Sequence, residues 1–340
     1  MALQTLWFIL WGLLWAVYFM LDGFDFGAGM LRVFLAKDET GRRITHTAIG
    51  PVWDGNEVWL ITAGGATFAA FPLTYASMFS FLYLPMLLIL FSLIIRGVAI
   101  EFRPKHDTAR WRSTWDWALA VTSFTAPLVL GLGFGNIFQG LLFDATGYHG
   151  SFFKLFNPFG LLTAVFFIVL FLQHGSLWLR YKTDGELHER STRLAGVLWF
   201  VVLAVAVVFL VAAPFATHLL DNYLARPYWF LVPVLAVAAL LGVKLLADRP
   251  LAAFLSSCAT IVLVVATALV GLFPDIIPSK LDAAASLTIT NSSSSQYTLR
   301  LMAVVALVFV PIVVIYQLLV YRFFRAKVKP ADVKEGAQGY

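Results

Sequence analysis

Positions 51–65 read PVWDGNEVWLITAGG, and whether this stretch crosses a membrane decides the topology of the whole chain. Much of it is apolar enough for lipid, yet Asp54 and Glu57 stand three residues apart in it, with Trp53 and Trp59 just outside them and a Gly-Gly pair behind. Hydropathy alone would discard it. The charges around it argue the other way. With this stretch counted as a span, Arg32, Lys37, Arg42 and Arg43 fall on the same side as Arg103, Lys105, Arg110 and Arg112. Arg180, Lys182, Arg190 and Arg193 join them, as do Lys244, Arg249 and a tail with Arg322, Arg325, Lys327, Lys329 and Lys334. The opposite loops then keep only Lys154, Arg226, Lys280 and Arg300. Lys and Arg concentrate in cytoplasmic loops, so the N-terminus is expected outside and the C-terminus in the cytoplasm. Without the span, basic loops scatter over both faces.

The rest of the chain calls for lipid as its solvent. Of its 340 residues 60% are hydrophobic and 13% charged, with a mean hydropathy of +0.83, whereas soluble domains carry about a quarter charged residues. A crossing helix needs about 20 mostly apolar residues. About nine candidates lie near 6–31, 54–72, 76–100, 115–139, 158–179, 194–216, 228–246, 251–273 and 299–322. The apolar runs do not alternate as barrel strands do, which leaves an all-α membrane protein. The first segment lacks a small-residue cleavage site and reads as a retained span. The single cysteine, Cys258, excludes an internal disulfide and a thiol metal cluster. No Gly-rich nucleotide loop occurs, which argues against an ATP-driven machine, and nothing points to a nucleic-acid partner.

Ionisable groups at membrane depth are costly and mark function or tight pairing. The first span ends FMLDGFDFGAGML, which puts Asp22 and Asp25 near one helix face and surrounds them with glycines that permit close helix approach. Asp54 and Glu57 repeat the spacing. Three readings stay open. The acids are structural, capping helices (Asp54 as an N-cap) or pairing with Arg32 or Arg96. They form a proton route. Or they hold a metal, for which no His accompanies them and too few oxygens are offered. Arg96, about two turns inside its span, either snorkels or pairs with Glu101 or an acid of the first two spans. Of six histidines only His174 falls within a span, and no pair of haem ligands suggests itself.

The segments DGFDFGAGML (22–31), GPVWDGNEVWLITAGGATFAAFP (50–72), GFGNIFQG (133–140), FNPFGLL (156–162), GELHER (185–190) and FPDIIPS…SSSSQYTL (273–299) follow one another in order. Together they resemble subunit II of cytochrome bd-type quinol oxidases, from about residue 5 to residue 325. The resemblance implies two four-helix bundles plus a peripheral helix in one polytopic domain over 1–340: a first bundle at about 1–140, a second with the peripheral helix at about 158–325, and a basic tail at 322–340. It implies a haem-bearing subunit I as partner, with haem b and haem d there and none in this chain. The site would be the bacterial inner membrane and the reaction quinol oxidation coupled to O₂ reduction to water. A small third subunit, lipids and a structural quinone in a lipid-facing pocket are further expectations. By the same resemblance Asp54 lies at the interface with subunit I on a proton path from the cytoplasm. Trp53 would pack over it, Asp25 would be its neighbour, and Glu57 and Asp22 would follow. Alternatively Asp54 and Asp25 mainly hold the first two helices together. A reading from another class is an independent proton- or cation-coupled transporter, against which the spans show no inverted repeat or matched broken helices.

Overall fold

The computed structural model describes residues 1–333, most of them helical. The helices are α1 (Ala2–Leu35), α2 (Glu39–Ile49), α3 (Trp53–Ala70), α4 (Pro72–Phe81), α5 (Tyr83–Phe102), α6 (Ala109–Gln139), α7 (Pro158–Lys182), α8 (Gly185–Ala216), α9 (Asp221–Ala225), α10 (Leu231–Leu245), α11 (Pro250–Leu272) and α12 (Gln296–Phe323). Two small antiparallel hairpins complete it, β1–β2 (Phe143–Asp144 with Gly147–Tyr148) and β3–β4 (Asp275–Ile277 with Leu287–Thr288). Among the described residues eight helices are long and apolar enough to cross a bilayer: α1, α5, α6, α7, α8, α10, α11 and α12.

Helix α3 falls short of that measure because Asp54, Asn56 and Glu57 occupy its first turns. It nevertheless runs antiparallel to α1 through most of the array. At one end Asn56 Nδ2 donates to the Leu21 carbonyl (3.3 Å), and towards the other Trp11 Nε1 donates to Thr67 Oγ1 (2.8 Å). Its 18 residues span roughly 27 Å at 1.5 Å per residue, close to the hydrocarbon thickness of about 30 Å.

The expected span at 76–100 needs correction. The helix breaks at Leu82, and α4 is a separate element. Both of its ends lie against the loops opposite the basic face: Thr74 Oγ1 donates to Ser292 Oγ (2.9 Å), and Phe81 stacks on Tyr148 at 4.8 Å. Only α5 goes on to cross. The cause is Pro85, whose ring would collide with the Phe81 carbonyl in a continuous helix and which has no N–H to give it. Helix α2 is also new. It is closed at its start by Asp38, whose carboxylate accepts from Gly41 N (2.7 Å), in a segment read only as a basic loop.

Helices α1, α3, α5 and α6 lie beside α7, α8, α10 and α11, with α1 packed closely on α7 and α11 and α6 on α7 across the boundary; α12 leans on α1 and α3. Helix α12 is exposed along nearly its whole length, with Leu299 and Gln317 its buried side chains. The basic loops gather at one end. Asp116 pairs there with Arg32 (3.0 Å), Arg42 (3.2 Å) and Arg103 (2.6 Å), and Arg103 also reaches Glu39 (2.9 Å). Lys182 Nζ donates to the carbonyls of Ala326 (2.6 Å) and Phe324, and Lys327 pairs with Asp184 (2.6 Å), which fastens the chain after α12 to the α7–α8 turn. The remainder of the basic tail, from Lys334 on, lies outside the described residues.

In α2, His46 is buried and faces Arg32 (Nδ1 to Nη1, 3.4 Å). Burial pushes its imidazole well below the usual range, and Arg32 and Arg103 push the same way. An unfolded chain therefore takes up a proton that the folded one refuses. The stability contribution is present above about pH 6.5 and is lost as pH falls below it, by up to roughly 1.4 kcal/mol per pH unit. Thermal melts of wild type and His46→Gln in detergent at several pH values check this. The wild type should lose more on acidification, and parallel curves would contradict the assignment.

Candidate functional site

Three helices bring the intramembrane charges together. Asp22 and Asp25 on α1 are 0% and 2% exposed, and Arg96 on α5 is 1% exposed. The Arg96 guanidinium bonds the Asp22 carboxylate through Nη2 and forks onto Glu57 of α3 through Nε (3.1 Å) and Nη2 (2.8 Å). Its flat face lies 4.2 Å from the Phe26 ring centre. Arg96 therefore neither snorkels nor pairs with Glu101. Removing such an ion from water costs several kcal/mol unless its partners are well placed, and the planar fork of arginine suits two carboxylates. One Arg96 nitrogen stays buried without a partner among the described residues, and the buried Tyr18 hydroxyl lies beside the Asp22 carboxylate.

Asp25 belongs to a second, adjoining network centred on Asn56. Asn56 Nδ2 donates to Asp25 Oδ2 (2.6 Å) and to Leu21 O (3.3 Å), while Asn56 Oδ1 accepts from Gln317 Nε2 (3.1 Å) and Tyr321 OH (2.7 Å) of α12. Sequence reading passed over Asn56, Gln317 and Tyr321. The one signal available was Gln317, an amide in an otherwise apolar run.

Asp54 stands apart from both networks. It is the second residue of α3, whose N-cap is Val52, so the capping reading does not hold. Its side chain is exposed at the end of α3 nearest the basic face and makes no hydrogen bond or ion pair with another described residue. Asp25 accepts from Asn56 instead, and no hydrogen bond joins it to Asp54. Trp53 packs onto α5, where a Cβ on Gly97 would sit 3.1 Å from its ring. Asp54 opens a stripe along α3 that continues through the exposed Val58, Ile61 and Phe68.

No three His, Cys, Asp or Glu side chains converge as metal ligands among the described residues. His174 does not fit an axial haem ligand. Its Nε2 meets the Met20 carbonyl (2.8 Å), its Nδ1 meets Ser257 Oγ (2.6 Å), and its ring stacks on Phe254 at 4.8 Å. Both nitrogens are engaged in joining α7 to α1 and α11. Between the two helix groups lies an apolar cavity of about 1080 Å³, walled by Trp11, Trp15, Met86, Phe134, Phe171 and Leu269 among others.

The comparisons with known proteins agree along the whole length. Residues 3–324 match the family model described as cytochrome bd terminal oxidase subunit II. The cytochrome bd-I ubiquinol oxidase subunit 2 of Escherichia coli K12 is 37% identical, with 98% of this chain and 97% of that protein covered. The cytochrome bd ubiquinol oxidase subunit 2 of Bacillus subtilis is 36% identical, with 96% and 97% covered. The bd oxidase structure from Geobacillus thermodenitrificans superposes with a TM-score of 0.79 over 95% of this chain and 99% of that one, at 19% identity, which speaks for the fold. A multi-pass helical chain with two buried aspartates on its first crossing, matched in this way over nearly its whole length, belongs to the cytochrome bd terminal oxidase subunit II family.

Proposed function

We propose that this chain serves as the haem-free second subunit of a quinol-oxidising, O₂-reducing complex in the bacterial inner membrane, and that its acidic residues carry protons from the basic face towards a haem-bearing subunit I. Quinol oxidation yields electrons and protons, and reduction of O₂ to water consumes both, so a buried reaction centre needs a proton supply. The observation that carries this reading is the ladder of carboxylates. Asp54 is exposed at the basic-face end of α3, Glu57 lies next along the helix with its side chain 19% exposed and is joined through Arg96 to the buried Asp22, and the buried Asp25 follows one turn from Asp22 on α1. Carboxylates held in a row at this depth are expensive, and proton relays are the recurrent reason for them.

The same surface supports docking of subunit I. A lipid-facing carboxylate on a crossing helix is unfavourable, and a polar partner surface over the Asp54–Phe68 stripe removes that penalty. A quinone fits the apolar cavity between the helix groups through its isoprenoid tail, with few polar groups at hand to hold the ring. Lipids and a small third subunit have the bare outer faces of α8, α10 and α12 available to them. The independent-transporter reading finds no observation in its favour, and the family match runs against it.

Asp54→Asn in the purified two-subunit complex tests the proton role. O₂ consumption driven by a soluble quinol should fall at least tenfold with the haem content per complex unchanged, as expected for removal of a positioned proton-transfer group. Full turnover in that variant would return Asp54 to a structural role, and loss of haem together with turnover would place it in assembly.

A further inference from the structure

We infer that Asn56, held by Gln317 and Tyr321 of α12, orients the Asp25 carboxyl for proton exchange, so that the peripheral helix positions the proton route. This rests on the proton-carrying role proposed above. It names residues that role does not include.

The geometry starts from an atom that can only accept. The Leu21 carbonyl receives a hydrogen bond from one end of the Asn56 amide (3.3 Å), so that end is the nitrogen. The same nitrogen points at Asp25 Oδ2 (2.6 Å), and the amide oxygen faces two donors, Gln317 Nε2 (3.1 Å) and Tyr321 OH (2.7 Å). All four hydrogen-bonding positions of the amide are filled. A flip would set its oxygen against the Leu21 carbonyl and the Asp25 carboxylate, and its nitrogen against donors.

This has a consequence for Asp25. Its Oδ2 is committed to an N–H and cannot carry the proton there without losing that bond. Its Oδ1 is buried and has no hydrogen-bond partner among the described residues. Oδ1 is therefore the atom at which a proton is gained and released. The charged and titratable groups around it are Asp22 on α1, Glu57 on α3, Arg96 on α5 and Tyr321 on α12. Only Asn56 ties the carboxyl itself to α12, a helix otherwise exposed along nearly its whole length.

Tyr321→Phe removes one oxygen and keeps the ring, and Gln317→Leu removes the other donor at similar size. With either donor gone the amide loses one of the contacts that fix it, so its nitrogen is held less firmly on Asp25 Oδ2 and the carboxylate form is favoured less. In the assembled complex, judged by haem content, turnover at neutral pH should drop about threefold. The alkaline limb of the pH–rate profile should move upwards by roughly one pH unit, as a lost hydrogen bond to a carboxylate predicts. A merely structural role of α12 would lower yield or melting temperature and leave that limb in place. Asp25→Asn separates the two levels. If Asp25→Asn abolishes turnover while the profile of Tyr321→Phe superposes on wild type, the positioning role is wrong and the proton route stands. If Asp25→Asn turns over normally, the proton route through Asp25 fails and the positioning role goes with it.

Discussion

Replacing Arg96 with leucine is expected to abolish the assembled complex. The substitution leaves Asp22 and Glu57, bonded by one guanidinium, as facing carboxylates inside the helix array. Removing one member of a buried ionic set costs about 3–5 kcal/mol because the remaining charge stays uncompensated, a large part of the roughly 5–15 kcal/mol that holds a folded protein together. The cation–π contact with Phe26 (4.2 Å) is lost as well. Lysine at 96 should rescue only in part, since a point charge cannot fork between two carboxylates. The triple variant Asp22→Asn, Glu57→Gln, Arg96→Leu separates stability from chemistry. It removes the whole charge set, so haem-bearing complex should reappear in the membrane, and it should still fail to turn over if the carboxylates move protons. Wild-type yield and melting temperature for Arg96→Leu alone would show that the acids need no counter-charge.

Gly27→Val should be about as damaging, for a steric reason. Helices α1 and α7 meet backbone to backbone at Gly27 and Gly175. A Cβ on Gly27 would lie 1.9 Å from the Phe171 carbonyl oxygen and 2.8 Å from Gly175 Cα, and a Cβ on Gly175 would lie 2.4 Å from Ala28 N. Backbone on both sides cannot yield by a rotamer change, so the helices must separate. Separation would unseat the bond from His174 to the Met20 carbonyl (2.8 Å) and shift Asp22 and Asp25 relative to Arg96. Overpacking typically costs about 1–3 kcal/mol, and more where nothing can relax. Alanine at 27 should already lower the melting temperature, and valine should leave no haem-bearing complex. Gly196→Ala on α8 is the control, as its added Cβ meets nothing within 4 Å. A gain of about 0.5–1 kcal/mol from helix propensity is expected there. Equal tolerance at Gly27 and Gly196 would refute the close-approach argument.

The split between sequence and structure follows the range of the forces. Lipid imposes about 20 apolar residues per crossing and the membrane sorts Lys and Arg by side, so the long helices, and the gathering of Arg32, Arg103, Lys182 and Lys327 at one end, were legible in the chain. The first crossings were legible as acid-bearing because a carboxylate in lipid stands out from its neighbours. Local sterics were available as well: Pro85 already marked the break between α4 and α5, although hydropathy averaged over it. Partner choice was not legible, since it is decided where helices meet, and spacing on one helix does not say which face meets which. Asp54 and Glu57 share a turn, yet α3 aims Glu57 inward at Arg96 and leaves Asp54 outside. Asn56 sits between them unremarked in the sequence and becomes the hub, because the fold brings Gln317 and Tyr321, some 260 residues later, against its oxygen. The sequence by itself determined that this chain lives in a membrane, where most of its long helices lie and which of its charges stand out from an apolar setting. Only the tertiary structure decided which of those residues answer one another, because a hydrogen bond or ion pair a few ångströms long depends on the packing of helices distant in the chain.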